Sequence, residues 1–189
     1  MMVAEAREKW NRRYAQRLAE GWLPEPNPLA LRLRSQLGGG TMLDAACGLG
    51  SGLAAVGDLY RRAYAVDISD TAVRAARARW GADSHIVWIV ADVARLHWPP
   101  GALDLVCAFA FTDWDFLRAV PAMLAPGGVV LYEGFSRRQL QVRPELTEDW
   151  TSTPELIHAL FNGWQVLVKE EDQEGPPYRV RFAARRPPD

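Results

Sequence analysis

The chain has 189 residues, of which 49% are hydrophobic and 24% are charged, and its formal net charge is −1. This composition predicts one globular domain over residues 1–189, and it provides no overall positive field to attract nucleic acid or anionic lipid. No apolar run reaches the length of about 18 residues that a membrane-spanning helix needs. Two cysteines are too few for a disulfide framework, and the three histidines lack metal-ligand spacing. We therefore expect a cytoplasmic protein without a metal site that acts on a small molecule.

The amino-terminal segment has the pattern of a helix with one apolar stripe. Trp10, Tyr14 and Leu18 are spaced i, i+4 and i+8 within a polar stretch from about residue 3 to 19. Three prolines then interrupt the helical pattern, and a second helix is predicted over 28–37. Because the stripe is apolar, we expect it to cover another apolar surface.

Strand-like and helical segments alternate along the rest of the chain. The strand-like runs are 41–46, 63–67, 86–91, 103–109 and 128–133, and the helical segments are 51–61, 70–80, 113–124 and 153–162. Such alternation predicts a parallel sheet with helices on both faces. Two further runs, 163–169 and 178–183, flank a turn-rich segment and predict a hairpin. The expected fold class is therefore α/β: a Rossmann-like, doubly wound, mostly parallel seven-stranded sheet with an antiparallel C-terminal edge hairpin.

A glycine-rich turn follows the first of these strands. Asp44 lies near the strand end, and Gly48 and Gly50 follow it. Glycines allow positive φ angles and bring backbone N–H groups close to a ligand. Asp67 lies nineteen residues after Gly48, at the end of the second run, where an acid can accept hydrogen bonds from ribose hydroxyls. The pattern predicts a nucleotide-cofactor site at the carboxyl ends of the strands.

The end of the third run suggests which base is bound. Asp92 can offer its carboxylate to an exocyclic amine, and Val93 can offer its backbone N–H to a ring nitrogen. Because ligands of doubly wound sheets bind outside the carboxyl ends of the strands, both groups are expected beside the glycine turn. Together they would recognise an adenine.

These residues resemble the class I S-adenosylmethionine-dependent methyltransferases. Residues 43–50 are similar to the first motif of that family, with Ala46 where a first glycine is common. Residues 103–106 look like its fourth-strand motif, and 123–131 resemble the turn and fifth strand that follow. The resemblance covers essentially the whole chain and implies S-adenosylmethionine as the cofactor.

A narrower resemblance lies at the amino terminus. Residues 10–14 and 26–29 look like the Trp…Arg-Tyr and Pro-Asn-Pro elements of the tellurite-resistance and thiopurine methyltransferase-like branch. This implies direct in-line methyl transfer to a small thiol, metalloid, amine or hydroxyl acceptor, and an amino-terminal segment that folds over the cofactor. The stripe is either such a lid or a plain cap on the sheet, and both interpretations stay open.

The resemblance and the spacing together define the expected parts of the domain and its site. The parts are a helical cap or lid (1–37), a cofactor-binding core (41–135) and a C-terminal helix with a β-hairpin (136–189). The expected cofactor-binding residues are Trp10, Tyr14, Asp44, Ala46, Gly48, Gly50, Asp67, Ile68, Asp92, Val93 and Phe109.

Several of these residues have two interpretations. Asp44 either orients the methionine amino group or holds the glycine turn, and Phe109 either walls an acceptor pocket or belongs to the core. Asp113 is the candidate for polar contact with the acceptor, whereas Thr112 and Asp115 have the spacing of a helix-capping box.

Two rival functions remain at this point. Residues 50–55 formally fit the G-x-G-x-x-G/A fingerprint of NAD(P)-dependent oxidoreductases, although the match starts several residues after the strand end. A non-catalytic nucleotide-binding protein would also keep the glycine turn and the acids. The oligomeric state is not indicated by the sequence.

Overall fold

The computed structural model describes residues 3–81 and 85–188, and within these ranges it contains eight strands in a mixed sheet. Most strand pairs are parallel and one edge is antiparallel, so the expected α/β fold class is confirmed. A short eighth strand is added to the seven that were expected. The chain forms two compact units, Met1–His97 and Trp98–Asp189. The assignment of residues 1–189 to one domain stays a prediction.

The first unit contains three parallel strands and four helices. They are α1 (Val3–Ala19), α2 (Pro28–Leu33), β1 (Gly39–Ala45), α3 (Ser51–Val56), β2 (Tyr60–Asp67), α4 (Asp70–Trp80) and β3 (Ile86–Val90). The strand order within this unit is β3-β2-β1. Ala45 pairs with Val66, and Val66 pairs with Ile89, so the carboxyl ends of the three strands lie at one edge. This register brings together the residues that follow each strand.

The helix starts in this unit follow ordinary capping chemistry. The Asn27 side chain accepts hydrogen bonds from the N–H groups of Leu29 and Ala30, which fixes the start of α2 at Pro28. This helix ends at Leu33, earlier than the expected residue 37, because the chain tightens into a 3₁₀ turn over Arg34–Gln36. Ser69 caps α4, as its sequence position suggests.

The second unit contains the remaining strands and two helices. They are β4 (Leu103–Phe109), α5 (Trp114–Met123), β5 (Leu124–Ser136), β6 (Thr151–Ser152), α6 (Pro154–Leu160), β7 (Gln165–Glu171) and β8 (Arg179–Arg185). β5 is parallel to β4 and β6, and β8 is antiparallel to both β5 and β7. The expected C-terminal hairpin is thus present. Among the described residues, no helix combines the length and the apolar character needed to cross a membrane.

Candidate functional site

The glycine turn after β1 has an unusual backbone. Ala46, Gly48 and Gly50 all have positive φ angles, of 53°, 54° and 88°. Ala46 therefore adopts the left-handed conformation that a glycine adopts without strain, at a cost of about 1–2 kcal/mol.

Asp67 connects this turn to the end of β2. Its side chain is buried, and one carboxylate oxygen accepts a hydrogen bond of 2.8 Å from the Gly48 N–H. The other oxygen accepts one of 2.8 Å from the Ser69 N–H, at the start of α4. Burial raises the pKa of Asp67, whereas these backbone donors lower it. The carboxylate thus fixes two loops and retains further lone pairs for a ligand.

Asp44 is the second buried carboxylate of this edge. It accepts a 3.2 Å hydrogen bond from the Leu53 N–H in the first turn of α3. A Cβ at Gly52 would lie 2.7 Å and 2.8 Å from the Asp44 oxygens, so a glycine is required for α3 to begin against them. Burial, and secondarily the charge of Asp67, raises the pKa of Asp44 to about 7, against the lowering effect of the Leu53 N–H.

Within the described part of the chain, Asp44 and Asp67 have no cationic partner. None of the ion pairs formed within residues 3–81 and 85–188 involves Asp44 or Asp67. A buried charge without a partner is costly, and proteins keep such groups mainly where a ligand or metal compensates them. The edge therefore suits a ligand that carries positive charge.

The α1 helix lies against the glycine turn. Tyr14 packs on Leu49 and Ala72, and Trp10 packs beside it with ring centroids 6.1 Å apart. A Cβ at Gly48 would collide with the Tyr14 hydroxyl. Burial, followed by the nearby Asp67 charge, raises the pKa of that hydroxyl. The stripe predicted from the sequence is therefore in contact with the turn, and its cap and lid interpretations both remain compatible with this packing.

The structure also shows residues that sequence reasoning missed. Asn11 donates to an Asp70 oxygen at 2.6 Å and accepts from the Ser69 hydroxyl at 2.7 Å. Trp80 donates its indole N–H to the carbonyl of Leu49 at 2.9 Å, which holds the turn from its outer side. The only sequence signal for Asn11 was its place between Trp10 and Tyr14.

The predicted adenine-binding residues follow β3. Asp92 caps the 3₁₀ turn Val93–Arg95 by accepting from the Ala94 N–H at 3.2 Å, and it lies 3.4 Å from the Arg95 guanidinium. The 3₁₀ turn begins at Val93, and an N–H at the start of a helical turn has no hydrogen-bond acceptor within the turn itself. The backbone carbonyl of Ile68 accepts from the Arg7 side chain at 3.3 Å. Asp92 thus has a structural use besides any ligand contact.

The two acceptor-side candidates lie in the second unit. Phe109 is buried at the end of β4 and pairs with Glu133, and Ala110 after it has a φ of 53°. The expected capping box of Thr112 and Asp115 is wrong: Asp113 caps α5 by accepting from the Phe116 N–H at 2.8 Å. The reason is that the Thr112 hydroxyl is hydrogen-bonded to Tyr132, and Asp115 pairs with Arg118.

A cleft in the first unit lies apart from these carboxylates. It has a volume of about 320 Å³ and is lined by Leu18, Leu23, Pro24, Leu49, Ala75 and Arg79. None of the predicted cofactor-binding residues lines it, and its nearest link to the predicted site is Leu49, which lies between Gly48 and Gly50. We therefore assign the site from the strand ends and their carboxylates and not from this cleft.

Residues 42–128 match a family model described as a methyltransferase domain. The match begins within β1, includes both buried carboxylates and the glycine turn, and extends into β5. These 87 of the 189 residues are similar to a methyltransferase domain, which indicates an enzyme that uses S-adenosylmethionine.

Solved structures of methyltransferases share the fold of this chain. The N-methyltransferase NodS from Bradyrhizobium japonicum WM9, in complex with S-adenosyl-L-homocysteine, is 18% identical with a TM-score of 0.72, over 94% of this chain and 98% of that one. A structure of the Haloferax volcanii Trm112 methyltransferase activator with a putative methyltransferase gives 18% identity and a TM-score of 0.70, over 100% and 99% of the two chains.

A third similar structure belongs to an enzyme of echinomycin biosynthesis, described by the conversion of a disulfide bond into a thioacetal group. It is 23% identical with a TM-score of 0.63, over 86% of this chain and 82% of that one. No curated protein sequence matches the chain. At these identities the comparison shows that the chain shares the fold of these structures, and it does not extend to their substrates.

Proposed function

We propose that this methyltransferase transfers a methyl group directly to a small-molecule acceptor. The observation that supports the cofactor part of this proposal is the pair of buried carboxylates, Asp44 and Asp67, which lack a cationic partner among the described residues. S-adenosylmethionine has a positive sulfonium and a positive amino group, so its charge compensates such a site. The residues present therefore fit the cofactor.

In the proposed site, the residues at the ends of the three strands of the first unit contact different parts of S-adenosylmethionine. Asp67 takes the ribose hydroxyls, and Asp44 takes the amino group directly or through water. Gly48 and Gly50, with Ala46, let the backbone approach the methionine part. The remaining contacts within this unit are assigned to Trp10, Tyr14, Ile68, Asp92 and Val93. Phe109, which the sequence also predicts as a cofactor-binding residue, belongs to the second unit.

The narrower assignment, to the tellurite-resistance and thiopurine methyltransferase-like branch, is also a proposal. It is supported by the packing of Tyr14 against the glycine turn, because this places an aromatic residue of α1 where a lid would close. Under this proposal α1 shields the reacting centre from water. The small-molecule acceptor, the lack of a nucleic-acid partner and a cytoplasmic location belong to the same proposal.

Methyl transfer from S-adenosylmethionine requires few catalytic groups from the protein. Bound S-adenosylmethionine supplies an already activated methyl group. The chain must hold the donor, exclude water and align the acceptor for in-line attack, and such positioning is worth about 7–11 kcal/mol of barrier. A thiol acceptor needs no general base. One carboxylate oxygen of Asp113 accepts from the Phe116 N–H and so caps α5, and the other oxygen is the one proposed to contact the acceptor.

The first experiment measures cofactor choice by thermal shift. S-adenosylhomocysteine at a hundredfold excess over its Kd should stabilise the protein by about 2.7 kcal/mol, while NAD(H) and NADP(H) should not. Asp67→Asn should abolish the shift, because the ribose loses an anionic acceptor and one of the Gly48 and Ser69 N–H groups loses its own. Asp58→Asn is the matched control, since Asp58 is an exposed partner of Arg34 in the same unit. A shift with NAD(H) alone would support the oxidoreductase.

The second experiment tests turnover. Methyl-labelled S-adenosylmethionine is incubated with thiol, amine, hydroxyl and metalloid acceptors, and label transfer is followed by mass spectrometry. We expect transfer to at least one class, and its loss in Asp67→Asn. Tight cofactor binding without transfer to any acceptor would favour the non-catalytic alternative.

A further inference from the structure

The outer edge of β3 is an unprotected strand edge. In the first unit β3 pairs with β2 on one side only, and no strand within the described ranges pairs with its other side. Its five residues, Ile86–Val90, are all apolar, and each is at least partly exposed, with Val90 40% exposed. Edge strands normally carry a charge, a proline or a bulge that blocks pairing with another chain, and this strand has none of them.

The hydrogen bonds to β2 show which backbone groups are open. The His85 carbonyl accepts from the Ala63 N–H at 3.0 Å, and the Ala91 N–H donates to the Asp67 carbonyl at 3.0 Å. Because the N–H and C=O of a strand residue point to the same side and the side alternates, the odd-numbered residues of β3 face β2. The N–H and C=O groups of Ile86, Trp88 and Val90 therefore face outward.

We infer that β3 pairs with β3 of a second copy of the chain, antiparallel and with the two-fold axis at Trp88. In this register Trp88 lies opposite Trp88, and Ile86 lies opposite Val90. These are the outward-facing residues, so each opposed pair exchanges both of its backbone hydrogen bonds.

The side chains of β3 suit the same register. Every opposed pair is aromatic or β-branched, which is the combination that stabilises cross-strand pairs. No charged residue lies within β3, so self-pairing brings no like charges together. The occupant that fits this edge is thus a second copy, related by the two-fold symmetry usual for homodimers.

The test is the mass of the full chain in solution. Light scattering during size-exclusion chromatography should give a mass that rises from 21.1 kDa towards twice that value as concentration reaches about 100 μM, as expected for a small interface with a micromolar Kd. A mass that stays at 21.1 kDa over this range overturns the inference.

Charged substitutions at Trp88, which lies on the proposed two-fold axis, test where the interface is. Trp88→Lys and Trp88→Glu should each be monomeric, because each would place like charges opposite one another. Their equimolar mixture should recover a dimer, because opposite charges then meet. A dimer that persists in both variants, or a mixture that stays monomeric, contradicts the proposed pairing.

A backbone variant tests the hydrogen bonds independently of Trp88. Val90→Pro removes an outward N–H without removing a bond to β2, and an edge strand tolerates this change. Val90→Thr, the control, keeps that N–H. We expect the proline variant to raise the dimer Kd at least about tenfold relative to the threonine variant, with unchanged circular dichroism spectra. Equal Kd values for the two variants overturn the inference.

Discussion

Burial of the charged Asp44 side chain lowers the free energy of unfolding of the ligand-free protein. Its pKa is raised from the ordinary 3.8 to about 7, so the folded protein binds a proton near neutral pH that the unfolded chain has released. Stability must then fall as pH rises from about 4 to about 7. Asp67, whose pKa is also raised, contributes with the same sign.

Replacing Asp44 by Asn should therefore stabilise the free protein at pH 8. Asn keeps an acceptor for the Leu53 N–H and removes the buried charge, and we expect a gain of about 1–2 kcal/mol, below the limit of about 4 kcal/mol set by the pKa shift. The same variant should bind S-adenosylhomocysteine more weakly, because its amino group loses an anionic partner.

Thermal denaturation between pH 5 and 8 and calorimetric titration measure the two effects of this substitution. The wild-type melting temperature should fall over this range more steeply than that of Asp44→Asn. A variant that is less stable and binds the ligand normally would mean that Asp44 only holds the glycine turn.

At the scale of elements, the attachment of α1 depends on a few polar contacts. Asn11 joins α1 to the first turn of α4 through Ser69, Asp70 and the Thr71 N–H. The apolar part of the contact is Tyr14 on Leu49 and Ala72. Because α4 begins only three residues after Asp67, these contacts connect α1 to the proposed ribose site.

Asn11→Ala should loosen α1 and weaken cofactor binding. Removing this side chain leaves the Ser69 hydroxyl and the Thr71 N–H without their acceptor, and we expect a loss of about 1–2 kcal/mol in stability. Gln16→Ala is the control, since the exposed Gln16 side chain donates to Glu20 within the same helix region and not to α4 among the described residues. The measurements are proteolytic cleavage within residues 3–19 and the Kd of S-adenosylhomocysteine. Equal behaviour of the two variants would show that Asn11 does not anchor the helix.

The sequence predicts elements better than it predicts contacts between them. The stripe of Trp10 and Tyr14 follows from helical spacing, a local property. The bridge from Asn11 to Ser69 joins residues 58 positions apart, and the bond from Trp80 to Leu49 joins residues 31 apart. No local pattern encodes such pairs, because they depend on how two elements pack. The same limit explains the wrong capping box, since the Thr112 hydroxyl is engaged by Tyr132 on β5.

For the whole molecule, alternation of strands and helices was enough to predict the fold class. Long apolar runs and glycine turns are strong signals, and the three parallel strands of the first unit lie where these signals placed them. The two-residue strand β6 was missed, because two residues carry no periodicity. The acceptor is not predictable in this way, since loop geometry decides which side chains line its pocket.

Hydrogen exchange with and without S-adenosylhomocysteine tests where the cofactor binds along the whole chain. Amides of 46–52, 67–69 and 92–93 should exchange more slowly with the ligand bound, because the proposed contacts order these strand ends. Protection of 3–19 as well would support the lid, since a plain cap gains no contact with the ligand. The hairpin turn between β7 and β8 should be unaffected and serves as the internal control. Protection confined to the second unit would contradict the assignment of Asp44, Asp67 and Asp92 to the cofactor.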